Sequence, residues 1–398
     1  MSGLMTFLIA LAAIAAAGWA FRFTGQKVTG NAPRFRDMAF AVAFGYALGT
    51  AVLIWAVWTY VQAQFILPEA EANKYFYFVT AIHGFILFAV LAFLFRLLGR
   101  AVGTAGSRKL FRQMPLTASF GVLVILLYTF FAIFAAWLAP HGQEQVFAQA
   151  NVVPGGNPAL GGDPAFPLGT DQIGRDILSR LIYGAQNTVG IAFVTTMIAF
   201  LLGGSLGFLA ATLRGWVDQS LSRLVDVLMA IPALIFALLL ITVASAWVKG
   251  TGLTIAMVLI MALIDSTRVF RLARAVGMNI VVMDYIEAAK LRGENLRYIV
   301  FREILPNATA PLLAEFGLRF CFVFLTISSL SFLGVGIQPP LADWGTMVKD
   351  MSSFINYAAF APQVSSAPLL AAGAIALLTV AVNFVVDWML HRSSGLKE

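Results

Sequence analysis

Cysteine, histidine and charged residues are all scarce in this chain of 398 residues. The single cysteine, Cys321, excludes an internal disulfide bond and a metal site built from clustered cysteines. The three histidines, His83, His141 and His391, lie far apart and form no HExxH-type zinc motif. Only 11% of the residues are charged, whereas a soluble domain carries about 25%. The composition therefore excludes an ordinary soluble protein.

A nucleotide-binding phosphate loop is also missing. The chain contains no GxxxxGK[ST] pattern, so it has no ATP site of the usual kind. A clustered set of catalytic groups, which an integral-membrane enzyme would need, is likewise not apparent in the sequence. The net charge of +7 would suit nucleic acid, but the placement of the basic residues between apolar segments indicates a membrane protein.

Long apolar segments are abundant, and 60% of the residues are hydrophobic. A membrane-spanning helix needs about 20 mainly apolar residues. Eight segments meet this length, and a ninth, Thr251–Phe270, is interrupted near its end by Asp265 and Arg268. The eight are Leu4–Phe21, Met38–Val61, Tyr75–Phe95, Leu116–Leu138, Val189–Leu213, Leu224–Val248, Leu312–Leu333 and Ala367–Leu390.

The distribution of basic residues supports nine spans and predicts their orientation. The segments that connect the spans alternate between the two sides of the membrane. Twenty of the 26 Lys and Arg residues lie in the segments of one side, five lie in those of the other side, and Arg319 lies within a span. Loops rich in Lys and Arg stay in the cytoplasm, so we expect the N-terminus outside and the C-terminus inside. The basic segments are 22–36, 96–114, 214–223, 265–302 and 391–398.

The first apolar segment has two interpretations. It ends in a run of alanines, residues 15–17, as a cleaved signal peptide does. However, no Lys or Arg precedes it, and cleavage would leave the basic residues of segment 22–36 outside the cell. The orientation argument therefore favours a retained helix.

The longest cytoplasmic loop, residues 268–306, predicts two short helices that meet at a break. We expect Asp284 to cap the first helix and Gly293 to end it, because glycine adopts positive φ without a steric penalty. The second helix, Asn295–Glu303, is expected to end at Pro306. A basic amphipathic loop lying on anionic lipid is the alternative interpretation of this segment.

Within this loop, one short pattern is specific. It consists of Glu287, Ala288, Ala289, Gly293, Leu305 and Pro306. The pattern resembles the EAA loop of the permease subunits of bacterial ATP-binding-cassette (ABC) importers. In that family the loop forms a coupling helix that sits in a groove of the cytoplasmic ATPase. The resemblance implies that the two alanines allow close approach to this partner, while Glu287 offers it a carboxylate.

Other segments resemble the dipeptide, oligopeptide and nickel permeases of the same family. They are Pro167–Asp171, Gly174–Asp176, Ser179–Gly184, Ser331–Gly336, Pro339-Pro340 and Trp344-Gly345. Apolar residues recur at helical spacing from Ile173 to Ile182, which predicts an amphipathic helix along the outer membrane surface. This helix would either meet a solute-binding protein or pack on the spans. Trp344 is expected at the lipid interface, and Pro232 is expected to kink its span.

The resemblance implies an all-α integral membrane protein with about nine transmembrane helices. Residues 111–398 would form a six-helix importer-type permease core that carries the coupling loop 268–306. Residues 1–110 contain no recognisable motif and would add an N-terminal bundle of three helices.

The function implied is that of a permease subunit that moves peptides or similar small solutes into the cytoplasm by alternating access. The chain itself would hold no cofactor and catalyse no reaction, since partner ATPases would bind ATP and magnesium. The expected partners are a homologous second permease, one or two ATPase subunits, an extracytoplasmic solute-binding protein and membrane lipid, but no nucleic acid. The expected location is the bacterial inner membrane. The rival is an ion- or proton-coupled secondary transporter, although the internal repeats typical of that class are not apparent.

Ionisable residues inside spans are costly and point to functional sites. Glu315 and Arg319 are four residues apart and can form a pair on one helix face. They either hold helices together or lie along the translocation path, where a zwitterionic peptide would meet them. Gly203 and Gly207 form a GxxxG step that predicts close helix packing.

Overall fold

A computed structural model describes residues 12–24, 38–102, 104–359 and 361–393. Within these ranges the chain forms helices and loops but no β-strand. Its β-type pairing there is limited to two isolated bridges, Val153 with Gly162 and Thr170 with Asp176. The predicted all-α class is confirmed.

The helices are numbered here in chain order. In the first part of the chain they are α1 (residues 12–24), α2 (Phe40–Val61), α3 (Glu69–Ala72), α4 (Phe76–Ala101), α5 (Ala105–Gln113), α6 (Leu116–Leu138), α7 (Ile177–Gly184), α8 (Gly190–Leu213) and α9 (Gly215–Met229). In the second part they are α10 (Ala233–Ser245), α11 (Thr251–Val281), α12 (Asp284–Leu291), α13 (Leu296–Tyr298), α14 (Leu305–Phe332), α15 (Trp344–Met351), α16 (Pro362–Ser365) and α17 (Pro368–Ser393).

Seven helical segments of the described residues are long and apolar enough to cross a membrane, and a bent helix pair makes an eighth candidate. The predicted count of nine is therefore not confirmed. Part of the first predicted span, residues 4–11, lies outside the described residues. The seven segments are Phe40–Ile66, Glu69–Ala101, Leu116–Leu138, Ile177–Leu213, Thr251–Val281, Leu296–Phe332 and Pro362–Arg392.

The bent pair replaces the single span predicted for Leu224–Val248. Helices α9 and α10 meet at 88°, and Pro232 immediately precedes α10. Proline has no backbone N–H and its ring crowds the preceding turn, so the sharp break occurs at this residue. The kink that the sequence predicts is present, but it is large enough to divide the segment into two helices.

Contacts between Cα atoms divide the chain into two compact units, residues 1–79 and 80–398. In the first unit, the Trp55 and Phe78 rings lie 5.8 Å apart. In the second, α8 packs along α11 with very little separation. A Cβ atom on Gly203 would overlap the carbonyl oxygen of Ser266, and one on Gly207 would overlap that of Phe270. The predicted GxxxG contact is confirmed.

Pro306 does not end a helix, contrary to the sequence-based expectation. The chain stays helical from Leu296 to Phe332, through a π-helical segment, Ile299–Ile304, and Pro306 is the second residue of α14. A π-helical turn is wider than an α-helical one and shifts the hydrogen-bond register. It therefore accommodates the proline ring just before the spanning helix.

Two neighbouring glycines allow a matched test of the α8–α11 contact. We expect Gly203→Ala to destabilise the protein by about 1–3 kcal/mol, because the new methyl group overpacks against backbone. Gly204→Ala is the control, since a Cβ there meets open space, and we expect it to be neutral or stabilising. Thermal unfolding of the purified variants in detergent measures both. Equal melting temperatures for the two variants would contradict the close packing.

Candidate coupling site and membrane charge cluster

Helix α12, at the centre of loop 268–306, begins and ends at defined positions. Met283 precedes it without a side-chain cap, so the expectation that Asp284 caps the helix is wrong. Asp284 is the first helical residue, so its negative carboxylate still interacts favourably with the positive end of the helix dipole. Gly293 has φ +78°, and the N–H groups of Gly293 and Glu294 donate to the carbonyls of Lys290 and Ala289. This bond pair ends the helix at the predicted glycine.

One face of α12 is anchored inside the protein. Ile286 and Ala289 are fully buried, and Leu305 packs beside the cluster that contains Ile286. The cluster joins α12 to the ends of α8, α11 and α14 and to the π-helical segment. Its buried members are Phe208, Ala273, Ile280, Val281, Ile286, Ile299, Val300, Ile304 and Ala308.

The opposite face of α12 is exposed. Glu287 and Ala288 are exposed, and the apolar side chain of Leu291 is 83% exposed. The structure thus separates the two alanines of the pattern, because Ala289 lies inside and Ala288 lies outside. Pro306 is also exposed.

The turn after α12 contains polar contacts. The Arg292 guanidinium lies 3.8 Å from the Glu294 carboxylate and 3.9 Å from that of Glu303. The Asn295 side chain accepts a hydrogen bond of 2.9 Å from the Tyr298 N–H and so caps α13. The Arg292 side chain is 57% exposed, so its ion pairs contribute little, and the Asn295 cap defines the start of α13.

Three charged residues meet inside the membrane-spanning part. Arg319 Nε lies 2.6 Å from Glu315 Oε1, and Arg319 Nη1 lies 3.8 Å from Asp265 Oδ1 on α11. The guanidinium carbon also lies 4.7 Å from the centre of the Phe322 ring. The predicted Glu315–Arg319 pair is present. Asp265 has its ion-pair partner on another helix, Arg319, although Arg268 is only three residues away in the sequence.

Trp344 lies inside the protein, so the prediction of a lipid-interface position is wrong. Its side chain is 2% exposed, and Nε1 donates a hydrogen bond of 2.9 Å to the Leu181 carbonyl. The preceding residue, Asp343, accepts hydrogen bonds of 2.8 Å from the Thr188 hydroxyl and from the Thr346 N–H. Burial raises the pKa of the Asp343 carboxyl, against the opposing effect of these hydrogen bonds.

The segment before α8 also differs from the prediction. Its helix begins at Ile177, where Asp176 caps it, and not at Ile173. It continues through a π-helical segment into α8, so it is the start of one long helix and not a separate helix. The preceding turn is held by Arg175, which lies 2.6 Å from Asp171 and 2.9 Å from Asp350.

Sequence reasoning missed the contacts of His141. Its Nδ1 atom lies 3.1 Å from Asp176 Oδ2, and its ring packs against Phe147 and Phe166 at 4.7 and 5.2 Å. The only sequence signal was that Asp176 belongs to segment Gly174–Asp176, one of the segments that resemble the permease family. Three or more potential metal ligands do not converge anywhere in the part of the chain that the structure describes.

Comparison with known proteins agrees with this arrangement. Residues 203–394 match the family model described as the inner membrane component of binding-protein-dependent transport systems. The chain is 35% identical over 269 residues to the di/tripeptide transport system permease protein DppC of Pseudomonas aeruginosa, covering 67% of this chain and 84% of that protein. It is 32% identical over 281 residues to the glutathione transport system permease protein GsiD of Pectobacterium atrosepticum, covering 70% and 86%.

A third relative is the peptide transport system permease protein SapC of Escherichia coli, 34% identical over 258 residues, covering 64% of this chain and 82% of the relative. These relatives are permease proteins of transport systems, and their family is that of ABC importers, which work with a partner ATPase and a solute-binding protein. The chain therefore belongs to the family of binding-protein-dependent transport system inner membrane components, as a multi-pass permease subunit of an ABC importer.

Proposed function

We propose that this permease carries peptides or similar small solutes into the cytoplasm and that a partner ATPase drives it through α12. The peptide cargo is supported by the names of its relatives, which transport dipeptides, tripeptides and glutathione. The observation that carries the coupling role is the division of α12 into a buried face and a free face. The buried face holds Ile286 and Ala289, and the free face holds Glu287 and Ala288.

This division suits a mechanical coupling element. A partner that binds Ala288 and Leu291 pushes on a helix whose other side is packed against three spanning helices. Close-packed apolar interiors have low compressibility and transmit displacement. Movement of α12 therefore shifts the ends of α8, α11 and α14 together, as alternating access requires. Gly293 ends this element at a defined position.

The remaining partners follow from the same role. A homologous second permease and one or two ATPase subunits complete the transporter, and an extracytoplasmic binding protein delivers the solute. ATP and magnesium are held by the ATPase subunits. We also propose that residues 111–398 form the six-helix permease core and that residues 1–110 form an added N-terminal bundle.

The orientation that we propose has the N-terminus outside and loop 268–306 in the cytoplasm. It is supported by the excess of Lys and Arg on one alternating set of connections. It brings α12 to the side of the membrane where ATP is available.

Glu315 and Arg319 are proposed to lie along the translocation path. They sit on α14, the helix that continues directly from the coupling loop, and both side chains are partly exposed, at 23% and 11%. An ion pair in a span that keeps some exposure can exchange partners with the charged ends of a peptide. Movement of α14 would then change the position of the Glu315–Arg319 pair relative to the solute.

The coupling proposal predicts that Ala288→Trp releases the ATPase. The exposed position tolerates the larger side chain within this chain, but the indole would block a close-fitting groove. We expect co-purification of the ATPase to fall at least about tenfold, with the melting temperature of the permease unchanged. Ala136→Trp is the control, because Ala136 is an exposed residue near the C-terminal end of α6. Wild-type retention of the ATPase by Ala288→Trp would refute this site.

The path proposal predicts a transport defect without unfolding. The double variant Glu315→Gln/Arg319→Met is made in an Asp265→Asn background, because Asp265 would otherwise lose its ion-pair partner Arg319 and remain as an uncompensated buried charge. Relative to that background it removes both charges and keeps the side-chain volumes similar. We expect KM for uptake of a labelled dipeptide to rise about tenfold, because a lost charge-assisted contact costs about 1.5–3 kcal/mol. A purely structural pair would instead lower the melting temperature and leave KM unchanged. Normal uptake by the double variant would remove these residues from the path.

The orientation is tested by cysteine labelling in a Cys321→Ser background. We expect a membrane-impermeant maleimide to label Val146→Cys in intact spheroplasts, since Val146 is exposed in the loop after α6. Arg297→Cys, in loop 268–306, should react only after permeabilisation. The reverse pattern would show that the proposed topology is inverted.

A further inference from the structure

An apolar groove runs between α4, α6 and α17, all within the unit of residues 80–398. Its volume is about 580 Å³, within the range of small-molecule sites. The walls are formed mainly by aromatic and aliphatic side chains, including Phe85, Ala89, Phe120, Ala376 and Val380. In a membrane protein, such a groove is filled by a lipid acyl chain or by an apolar helix.

One end of the groove is basic. The lining ends at Ala92 on α4 and Leu116 on α6, and Arg96 follows Ala92 by one helical turn on the same face. The Nε atom of Arg96 is shielded from solvent and has no hydrogen-bond acceptor among the described residues. A buried guanidinium N–H without an acceptor is costly, so this atom points to a missing anionic or polar ligand.

Helix α5 crosses the same end of the groove. The Phe111 ring packs edge-on against Phe95 at 5.2 Å, and the Arg100 Nε donates a hydrogen bond of 3.4 Å to the Phe111 carbonyl. Leu110 and Phe111 are half-buried, whereas the cations on this helix are exposed. Those cations are Arg108, Lys109 and Arg112. This division is typical of a helix at the membrane surface with its basic face toward lipid headgroups.

Few acidic residues are available to neutralise the five cations of segment 96–112, which are Arg96, Arg100, Arg108, Lys109 and Arg112. The sequence has no Asp or Glu between Glu71 and Glu144, and within the described residues none of the five forms an ion pair. Among the described residues of the three groove helices there is one carboxylate, the exposed Asp387 on α17, three residues after the groove residue Phe384. This end of the groove therefore has a strong positive excess.

We propose that the groove and its basic end form a binding site for an anionic phospholipid. One acyl chain occupies the groove, and the phosphate lies beside Arg96 with the cations of α5 around the headgroup. Basic pockets between spanning helices bind anionic headgroups in this way. A free phosphate ion would leave the groove empty, and a zwitterionic lipid would gain little from the excess positive charge. The charge and the shape together select an anionic lipid.

This site does not depend on the proposed cargo, the coupling contact or the path residues. The test uses the intact transporter purified with its partners, to which dioleoylphosphatidylglycerol or dioleoylphosphatidylcholine is added in native mass spectrometry. The two lipids share their acyl chains and differ in headgroup charge. ATPase retention, measured in the same preparations, separates failure of the lipid site from failure of the coupling proposal.

Two variants address the two parts of the site. Arg96→Gln removes the headgroup contact and is paired with Arg223→Gln, which removes an exposed cation on α9. Ala376→Trp fills the groove at an exposed lining position and is paired with Ala136→Trp, which adds the same bulk to an exposed position outside it. Arg96→Lys keeps the charge and reports whether the fold tolerates replacement at this position.

We expect the wild type to bind phosphatidylglycerol about tenfold more tightly than phosphatidylcholine. Arg96→Gln should reduce this preference about fivefold, the effect of one basic residue near a lipid surface, whereas Arg96→Lys and Arg223→Gln should retain it. Ala376→Trp should weaken both lipids, and Ala136→Trp neither. The proposal is overturned by equal affinity for the two lipids, by an unchanged preference in Arg96→Gln, or by a protein helix filling the groove in the assembled transporter.

Discussion

The buried apolar cluster beneath α12 is the contact on which the rest of the coupling region depends. A helix of eight residues is too short to be stable by itself in water, so α12 exists because Ile286 and Ala289 are packed against the membrane-spanning helices. The same packing makes α12 a rigid continuation of those helices. Stability and signal transmission therefore come from one set of contacts. A loop held only by charges on lipid would show neither this burial nor the Gly293 stop.

The spanning helices were largely predictable because the bilayer imposes a simple length and polarity requirement. Seven of the nine predicted segments overlap helices of suitable length, and the Gly203–Gly207 contact followed from two small residues one turn apart. Pro232 was recognised as a kink. The size of the break could not be predicted, since it depends on what α9 packs against. Asp218 and Asp226 of α9 pair with Arg274 and Arg271 of α11 and hold α9 away from the direction of α10.

The errors share a physical cause. Pro306, Ile173 and Trp344 were interpreted from local preferences, whereas tertiary packing decides each position. A π-helical turn accommodates Pro306, the Asp171 turn excludes Ile173 from α7, and the Leu181 carbonyl satisfies the indole N–H of Trp344 inside the protein. Sequence periodicity carries no information about such partners. For the same reason, the sequence correctly paired Glu315 with Arg319 on one helix but missed Asp265 on the next.

The basic residues that orient the chain have different local surroundings, and the difference is informative. Arg271 and Arg274 of α11 pair with Asp226 and Asp218 of α9, and in loop 268–306 Arg292 lies between Glu294 and Glu303. These cations are neutralised by the protein itself. Segment 96–112 has the same positive-inside character but no carboxylate of its own, and one of its guanidinium N–H groups is shielded from solvent. Membrane topology alone requires positive charge on one side, but it does not require burial of an unsatisfied donor beside an apolar groove. That combination needs a ligand with an anionic end and an apolar end, which the surrounding membrane supplies.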